Sequence, residues 1–177
     1  MAVDATIGVW ETVAEDFGQR LAQVSGELCA APTPCPDWTV RDLVEHVLSA
    51  QRRYAGFLGY DISAARDWPE VRDGMAHALK TDDAFDTSVE HSMLGVIPKA
   101  RVLGIVTNDL LVHTWDLARA IGGDERLDPG AVAACAEVVA ATPQEIARGP
   151  KVWGDLIEVG PDVDLQTRLL AMVGRRA

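Results

Sequence analysis

An aspartate and a histidine lie four residues apart in the segment 108–119, which has the apolar spacing of a helix. At this spacing Asp109 and His113 lie one turn apart on the same helix face. Leu110 and Leu117 point close to that face, so the pair is expected to face a packed interior. A carboxylate and an imidazole are costly to bury without partners. The pattern therefore predicts either a hydrogen bond between the two side chains or a divalent metal that both bind.

His46 is the candidate for a third metal ligand. It follows Leu43 by three residues in a helical pattern that begins at Thr39. Neighbouring helices of a bundle can bring such positions together, and bundle cores hold many known metal sites. Two imidazoles and one carboxylate suit zinc or a similar ion and leave one position open. The set of His46, Asp109 and His113 competes with a simpler interpretation, since most histidines near an apolar face are core or boundary residues.

Three further residues near this set leave alternatives open. Asp116 lies within one turn of His113 and competes with Asp109 as the acidic ligand. Trp115 is a candidate pocket wall, although packing within the bundle is the commoner role of a buried tryptophan. Cys35 lies between two prolines and is expected to be exposed. A catalytic role for this thiol is not favoured, because no histidine has an obvious pairing position nearby.

The elements that must position these residues are predicted to be helices. Suitable N-cap or first-turn residues stand at Asp4, Thr39, Pro69, Pro98, Asp128 and Asp164. Four long helices are expected over 4–28, 39–59, 98–121 and 128–141. The segments 87–95 and 152–159 are expected to be loops or small strands. His77, His91 and Trp68 lie in less regular segments and are expected near the surface.

These elements predict an all-α protein with minor β structure, folded as a four-helix bundle with short C-terminal additions. The 177 residues, of which 48% are apolar and 24% charged, suit a single domain over 1–177. The net charge of −11 argues against nucleic-acid binding and against docking on anionic lipid. Without a signal-peptide pattern, a membrane span or a CxxC pair, we expect a cytoplasmic protein with reduced thiols.

Two runs of sequence resemble the signatures of a known family. Thr33–His46 is similar to the first signature of the actinobacterial branch of the DinB/YfiT-like superfamily, and Asp109–Ala120 is similar to the second. The run Arg168–Gly174 resembles the usual end of these proteins. The branch includes the metal-binding N-terminal domain of mycothiol-dependent maleylpyruvate isomerase. The resemblance covers essentially the whole chain.

The resemblance implies a four-helix bundle with a divalent metal between its helices. Its ligands would be His46, Asp109 and His113, where Asp109 replaces the longer glutamate of the isomerase. Zinc is the first expected metal and nickel the second. The implied activity is a thiol-dependent transfer or isomerisation of a small electrophile, with mycothiol as a cosubstrate and, by analogy, a homodimer as a possible assembly.

Two other functions remain open at this point. A metal-dependent hydrolase could use the same ligands, with a bound water as the nucleophile. A non-catalytic binding or stress-response module would have a vestigial or closed metal site. The first differs from thiol chemistry in needing no added thiol, and the second differs from both in having no open side at the metal.

Overall fold

Helices dominate the computed structural model, which describes residues 3–81, 85–91, 94–143 and 153–177. The helices in these ranges are α1 (Val3–Leu21), α2 (Val40–Phe57), α3 (Trp68–Leu79), α4 (Lys99–Ile121), α5 (Pro129–Ala140) and α6 (Leu165–Met172). A 3₁₀ turn covers Leu28–Ala30, and a hairpin is formed by β1 (Ser88–His91) and β2 (Gly95–Pro98). The all-α class with minor β structure is therefore confirmed. Among the described helices, none combines the length and the apolar character that crossing a membrane requires.

Helix α4 lies at the centre of the described fold. It packs against α1, α2 and α5, while α3 packs on α2, and α6 packs on α5. Every residue from Leu110 to Ala118 is buried, so this part of α4 has no solvent face. Contact with three helices explains why the burial is continuous, whereas a surface helix would bury only one stripe. Polar side chains on this part of α4 must therefore find partners inside the protein.

The hairpin leads directly into α4. Its strands pair antiparallel, with Ser88 opposite Pro98 and His91 opposite Gly95. Gly95 has a φ of 67°, which glycine adopts without the strain that a side chain would cause. Ile97 turns inward and is buried, so the hairpin is fixed to the core just before α4 begins.

Two residues expected near the surface are instead buried. His91 is 8% exposed, and Trp68 is 4% exposed. The ring of Trp68 meets Phe17 edge-on, with ring centroids 4.7 Å apart. The expectation was wrong because Trp68 begins α3 instead of lying in a loop, and the first turn of this helix packs on α1. His77 is exposed, as expected.

Most helix starts agree with the residues predicted to cap them, whereas the end of the first helix differs. Asp128 and Asp164 accept hydrogen bonds from backbone N–H groups in the first turns of α5 and α6. Helix α1 ends at Leu21, earlier than expected. For the segment 152–159, where small strands or irregular chain were expected, the described residues 153–159 have no regular structure.

The start of α2 is held by a reciprocal pair of hydrogen bonds. The Asp42 backbone N–H donates to Thr39 Oγ1 over 3.3 Å, and the Thr39 backbone N–H donates to Asp42 Oδ2 over 2.9 Å. This capping box satisfies two N–H groups that the helix itself leaves unpaired. It also fixes the point at which the chain turns into α2, seven residues before His46.

Replacement of Thr39 by alanine is expected to lower the free energy of unfolding by about 1 kcal/mol, because one side of the capping box is lost. Urea unfolding followed by circular dichroism measures the change. Thr12→Ala is the matched control, since Thr12 is exposed in the middle of α1 and its hydroxyl bonds only the Gly8 carbonyl of its own helix. Equal losses in the two variants would contradict a specific role for the cap.

Candidate metal centre

The structure brings His46, Asp109 and His113 together between α2 and α4. His46 Nε2 lies 3.4 Å from each carboxylate oxygen of Asp109. His113 Nε2 lies 3.6 Å from Asp109 Oδ1. The two imidazole rings meet edge-on, with centroids 4.8 Å apart. The three side chains therefore present one donor atom each, all within 4.8 Å of one another.

The spacing of these donor atoms fits a small divalent ion. Two ligands that each lie about 2.0–2.1 Å from one tetrahedral ion are separated by roughly 3.3 Å. The separations of 3.4 and 3.6 Å are close to that value, and they are long for direct hydrogen bonds. Among the described residues, Asp109 Oδ2 is a buried oxygen that accepts no hydrogen bond. A cation between the three groups would satisfy it.

Asp116 contacts the opposite side of the His113 ring. The His113 Nδ1–H group donates to Asp116 Oδ2 over 2.9 Å, which leaves Nε2 directed at Asp109. A metal-binding histidine commonly donates its second ring nitrogen to a carboxylate in this way. The geometry therefore gives the two aspartates different roles. Asp109 lies among the candidate ligands, and Asp116 orients the imidazole.

Cys35 and Arg175 complete a buried cluster around Asp116. Arg175 donates from Nε to Asp116 Oδ1 over 3.1 Å and from Nη2 to Oδ2 over 2.9 Å. The Cys35 thiol donates to Asp116 Oδ2 over 3.3 Å and lies 3.8 Å from His113 Nδ1. Cys35, His113 and Asp116 are also close enough to hold an ion. However, the guanidinium of Arg175 already supplies the positive charge at that point.

Cys35 is 7% exposed, so the expectation that it lies at the surface was wrong. The loop around it closes on itself. The Thr33 backbone N–H donates to the Trp38 carbonyl over 3.0 Å, and the Cys35 N–H donates to Thr33 Oγ1 over 3.2 Å. Pro32 also pairs with Thr39 across the loop. This closure turns the thiol inward, toward α4.

Trp38 forms one wall of the site. Its ring centroid lies 4.8 Å from that of His46 and 5.8 Å from that of His113. Trp115, for which the sequence left open packing in the bundle or a pocket wall, is fully buried on α4, and the Arg119 guanidinium lies 4.4 Å from its ring centroid. Trp38 was not predicted as part of the site, although its position eight residues before His46 in the first signature was a usable signal.

The centre has one closed side and one open side. The side chains of His46 and Asp109 are 33% and 32% exposed to solvent, whereas those of His113 and Asp116 are 8% and 0% exposed. The exposed part of the centre is therefore on the side of His46 and Asp109. The closed side holds the Asp116 cluster.

The charges at the centre are strongly coupled. Burial opposes ionisation of Asp109, but the neighbouring His113 and His46 hold its pKa below the usual value. Burial likewise disfavours a charged His113, but Asp109 and Asp116 raise the pKa of this imidazole well above its usual value. Burial also opposes ionisation of Asp116, yet His113 and Arg175 lower its pKa. The two carboxylates thus favour positive charge between them, as a bound cation would supply.

Fold and site together define a helical protein with a candidate centre of two histidines and one carboxylate. Residues 10–92 match the family model described as the mycothiol maleylpyruvate isomerase N-terminal domain. Over this range the chain is therefore similar to that family, in agreement with the resemblance inferred from the first signature. The matched range contains Cys35, Trp38 and His46, whereas Asp109 and His113 lie beyond its end.

Two curated relatives from Mycobacterium tuberculosis are similar to the chain. They are the uncharacterized proteins MT0763 of strain CDC 1551 / Oshkosh and Rv0738 of strain ATCC 25618 / H37Rv. Each is 31% identical over 123 residues, which cover 64% of this chain and 65% of the relative. The similarity thus spans just under two thirds of these relatives. No solved structure matches the chain significantly.

Replacement of Cys35 by serine distinguishes the two possible ion positions. We expect zinc stoichiometry to be unchanged, because serine can still accept the Arg175 hydrogen bond and the thiol is not among the three donors of the centre. Isothermal titration with zinc, on protein purified without a nickel column, measures it. Loss of zinc binding by a Cys35→Ser variant that remains folded would instead place the ion at Cys35, His113 and Asp116.

Proposed function

We propose that this chain is a divalent-metal-binding protein that uses a small thiol, of the mycothiol type, to modify a small electrophile. The observation that carries the proposal is the convergence of His46, Asp109 and His113 on one point with an open side toward solvent. The family match supports the thiol, because the matched model describes a mycothiol-related domain.

Each residue of the centre has a separate task in this proposal. His46 and His113 would hold the ion through Nε2, and Asp109 would hold it through a carboxylate oxygen. Asp116 keeps the proton on His113 Nδ1, so that the lone pair of Nε2 is available on the other side of the ring. Three protein ligands leave a further coordination position, which is the arrangement of catalytic rather than structural zinc sites.

When bound, a divalent ion at this point would lower the pKa of a thiol that reaches it and so favour the nucleophilic thiolate. Trp38 limits access on one side and offers an aromatic face to an apolar part of the thiol or the electrophile. Tyr54 lies near the centre with its phenol neutral, since burial and the charge of Asp109 raise the pKa of this tyrosine. The open side at His46 is the route for both reactants.

Zinc is the metal that we propose first, with nickel second. Nitrogen and oxygen donors at tetrahedral spacing suit zinc, and imidazole ligands also suit nickel. The acidic donor is an aspartate, whose short side chain already lies 3.4 Å from His46 Nε2 and 3.6 Å from His113 Nε2.

Removal of either histidine ligand is expected to abolish stoichiometric metal binding. His46→Ala and His113→Ala each leave only two donors, so zinc titrated into the metal-free protein should bind at least 100-fold more weakly. His77→Ala is the matched control, because His77 is an exposed histidine away from the centre. Full zinc occupancy in both ligand variants, measured by titration calorimetry and by metal analysis, would contradict the assignment.

The thiol reaction has a direct kinetic test. The zinc-loaded protein is incubated with small electrophiles such as activated alkenes or maleyl compounds, with and without mycothiol. We expect turnover that depends on the thiol and disappears in Asp109→Ala. Turnover that needs no thiol would indicate a metal-dependent hydrolase with water as the nucleophile. Metal binding without either reaction would leave a binding module.

A further inference from the structure

The Arg175 side chain reaches back from the end of α6 to the closed side of the centre. It donates two parallel hydrogen bonds to Asp116, from Nε to Oδ1 at 3.1 Å and from Nη2 to Oδ2 at 2.9 Å. Nη2 also donates to Cys35 Sγ over 3.2 Å. Paired hydrogen bonds from one guanidinium fix the plane of a carboxylate and also stabilise its negative charge. We propose that Arg175 is a positioning residue, which sets the orientation of His113 toward the metal through Asp116.

The backbone conformation after α6 positions this side chain. Gly174 has a φ of 82°, a left-handed conformation that ends the helix. The Gly174 N–H donates to the Ala171 carbonyl over 3.2 Å, and the Arg175 N–H donates to the Leu170 carbonyl over 2.8 Å. These two hydrogen bonds form a Schellman motif. A Cβ on Gly174 would lie 2.6 Å from the Gly154 Cα, so the position also has no room for a side chain.

Asp116 needs Arg175 because nothing else in the cluster carries a fixed positive charge. Its side chain is 0% exposed, and its other partners are the His113 imidazole and the Cys35 thiol. Without the guanidinium, one oxygen of a buried carboxylate loses its donor. A buried carboxylate that has lost one of its donors is no longer held in one orientation. A change in its orientation weakens the hydrogen bond that directs the His113 ring.

Three contacts therefore connect the candidate ion to Arg175. His113 Nε2 faces the candidate ion, His113 Nδ1 donates to Asp116, and Asp116 accepts from Arg175. Carboxylates and other groups that orient metal ligands commonly change metal affinity about 10- to 100-fold when they are lost. The same range is expected for Arg175, although its side chain does not reach the donor atoms itself.

This inference rests on the proposed metal site, and the experiment separates the two. Zinc affinity is measured by titration of the metal-free full chain, for the unchanged protein and for Arg175→Gln and Arg176→Gln. Arg176 is the matched control, since it is the exposed neighbour. We expect zinc to bind about 10- to 100-fold more weakly to Arg175→Gln and with unchanged affinity to Arg176→Gln. An unchanged protein that does not bind zinc would refute the proposed function itself.

Two further measurements distinguish positioning from a structural role. The visible spectrum of the cobalt-loaded protein reports the geometry at the ion, and we expect it to change in Arg175→Gln but not in Arg176→Gln. Arg175→Lys keeps the positive charge but not the two parallel hydrogen bonds, so its zinc affinity should lie between those of the unchanged protein and Arg175→Gln. Urea unfolding of the metal-free variants identifies conditions in which all remain folded, and the affinities are compared there.

A double substitution tests whether Arg175 acts through Asp116. We expect Asp116→Asn alone to weaken zinc binding, and the addition of Arg175→Gln to that variant to cost no further affinity. An equal loss from Arg175→Gln in both backgrounds would overturn the inference, because the arginine would then act by another route. Unchanged zinc affinity in Arg175→Gln, with an unchanged cobalt spectrum, would overturn it as well.

Discussion

The hydrogen bond between His113 and Asp116 is the interaction on which the centre depends. Both side chains are almost fully buried on the part of α4 that three helices enclose. Loss of one partner from a buried charged pair costs about 3–5 kcal/mol, so the surrounding chain must keep both partners in place. The loop around Cys35 and the end of α6 supply the remaining contacts. Nδ1 of His113 thus faces the closed half of the site, and Nε2 of the same ring faces the open half.

The open half has a different physical character. His46 and Asp109 retain about a third of their exposure and are held at 3.4 Å, too far for a strong hydrogen bond. Two carboxylates flank the His113 ring, and their combined field favours a cation at the centre. The centre is thus buried and hydrogen-bonded where His113 is oriented, and partly exposed where a reactant would enter. That division is required of a catalytic metal site more than of a structural one.

The local features of this fold were predictable from the sequence because they depend on neighbouring residues. The Thr39 capping box needs only a residue three positions away, and Asp109 and His113 share a face through the period of the helix. His46 was predicted from its place beside the apolar face of the second helix, and the family signature supported it. These three predicted donors lie together in the structure, and whether they bind a metal stays a prediction.

The features that the sequence did not reveal all arise from long-range packing. Cys35 is buried because its loop closes and turns inward, and Trp68 is buried because α3 packs on α1. Arg175 follows Gly174 in a short basic segment, a pattern more typical of a solvated end than of a buried contact. No local periodicity relates it to Asp116, which is 59 residues away. The choice between the two aspartates likewise required knowledge of which ring nitrogen each one meets.

The contact between Cys35 and Arg175 joins residues 140 positions apart. The entropic cost of closing so long a loop must be met by helix packing before this contact can form. Contacts of such separation are also associated with slow folding. The helix that carries Asp109 and His113 needs only local contacts, whereas the complete centre needs contacts across the chain. Any affinity of this centre for an ion would therefore depend on packing across the chain, and not only on the three donor groups.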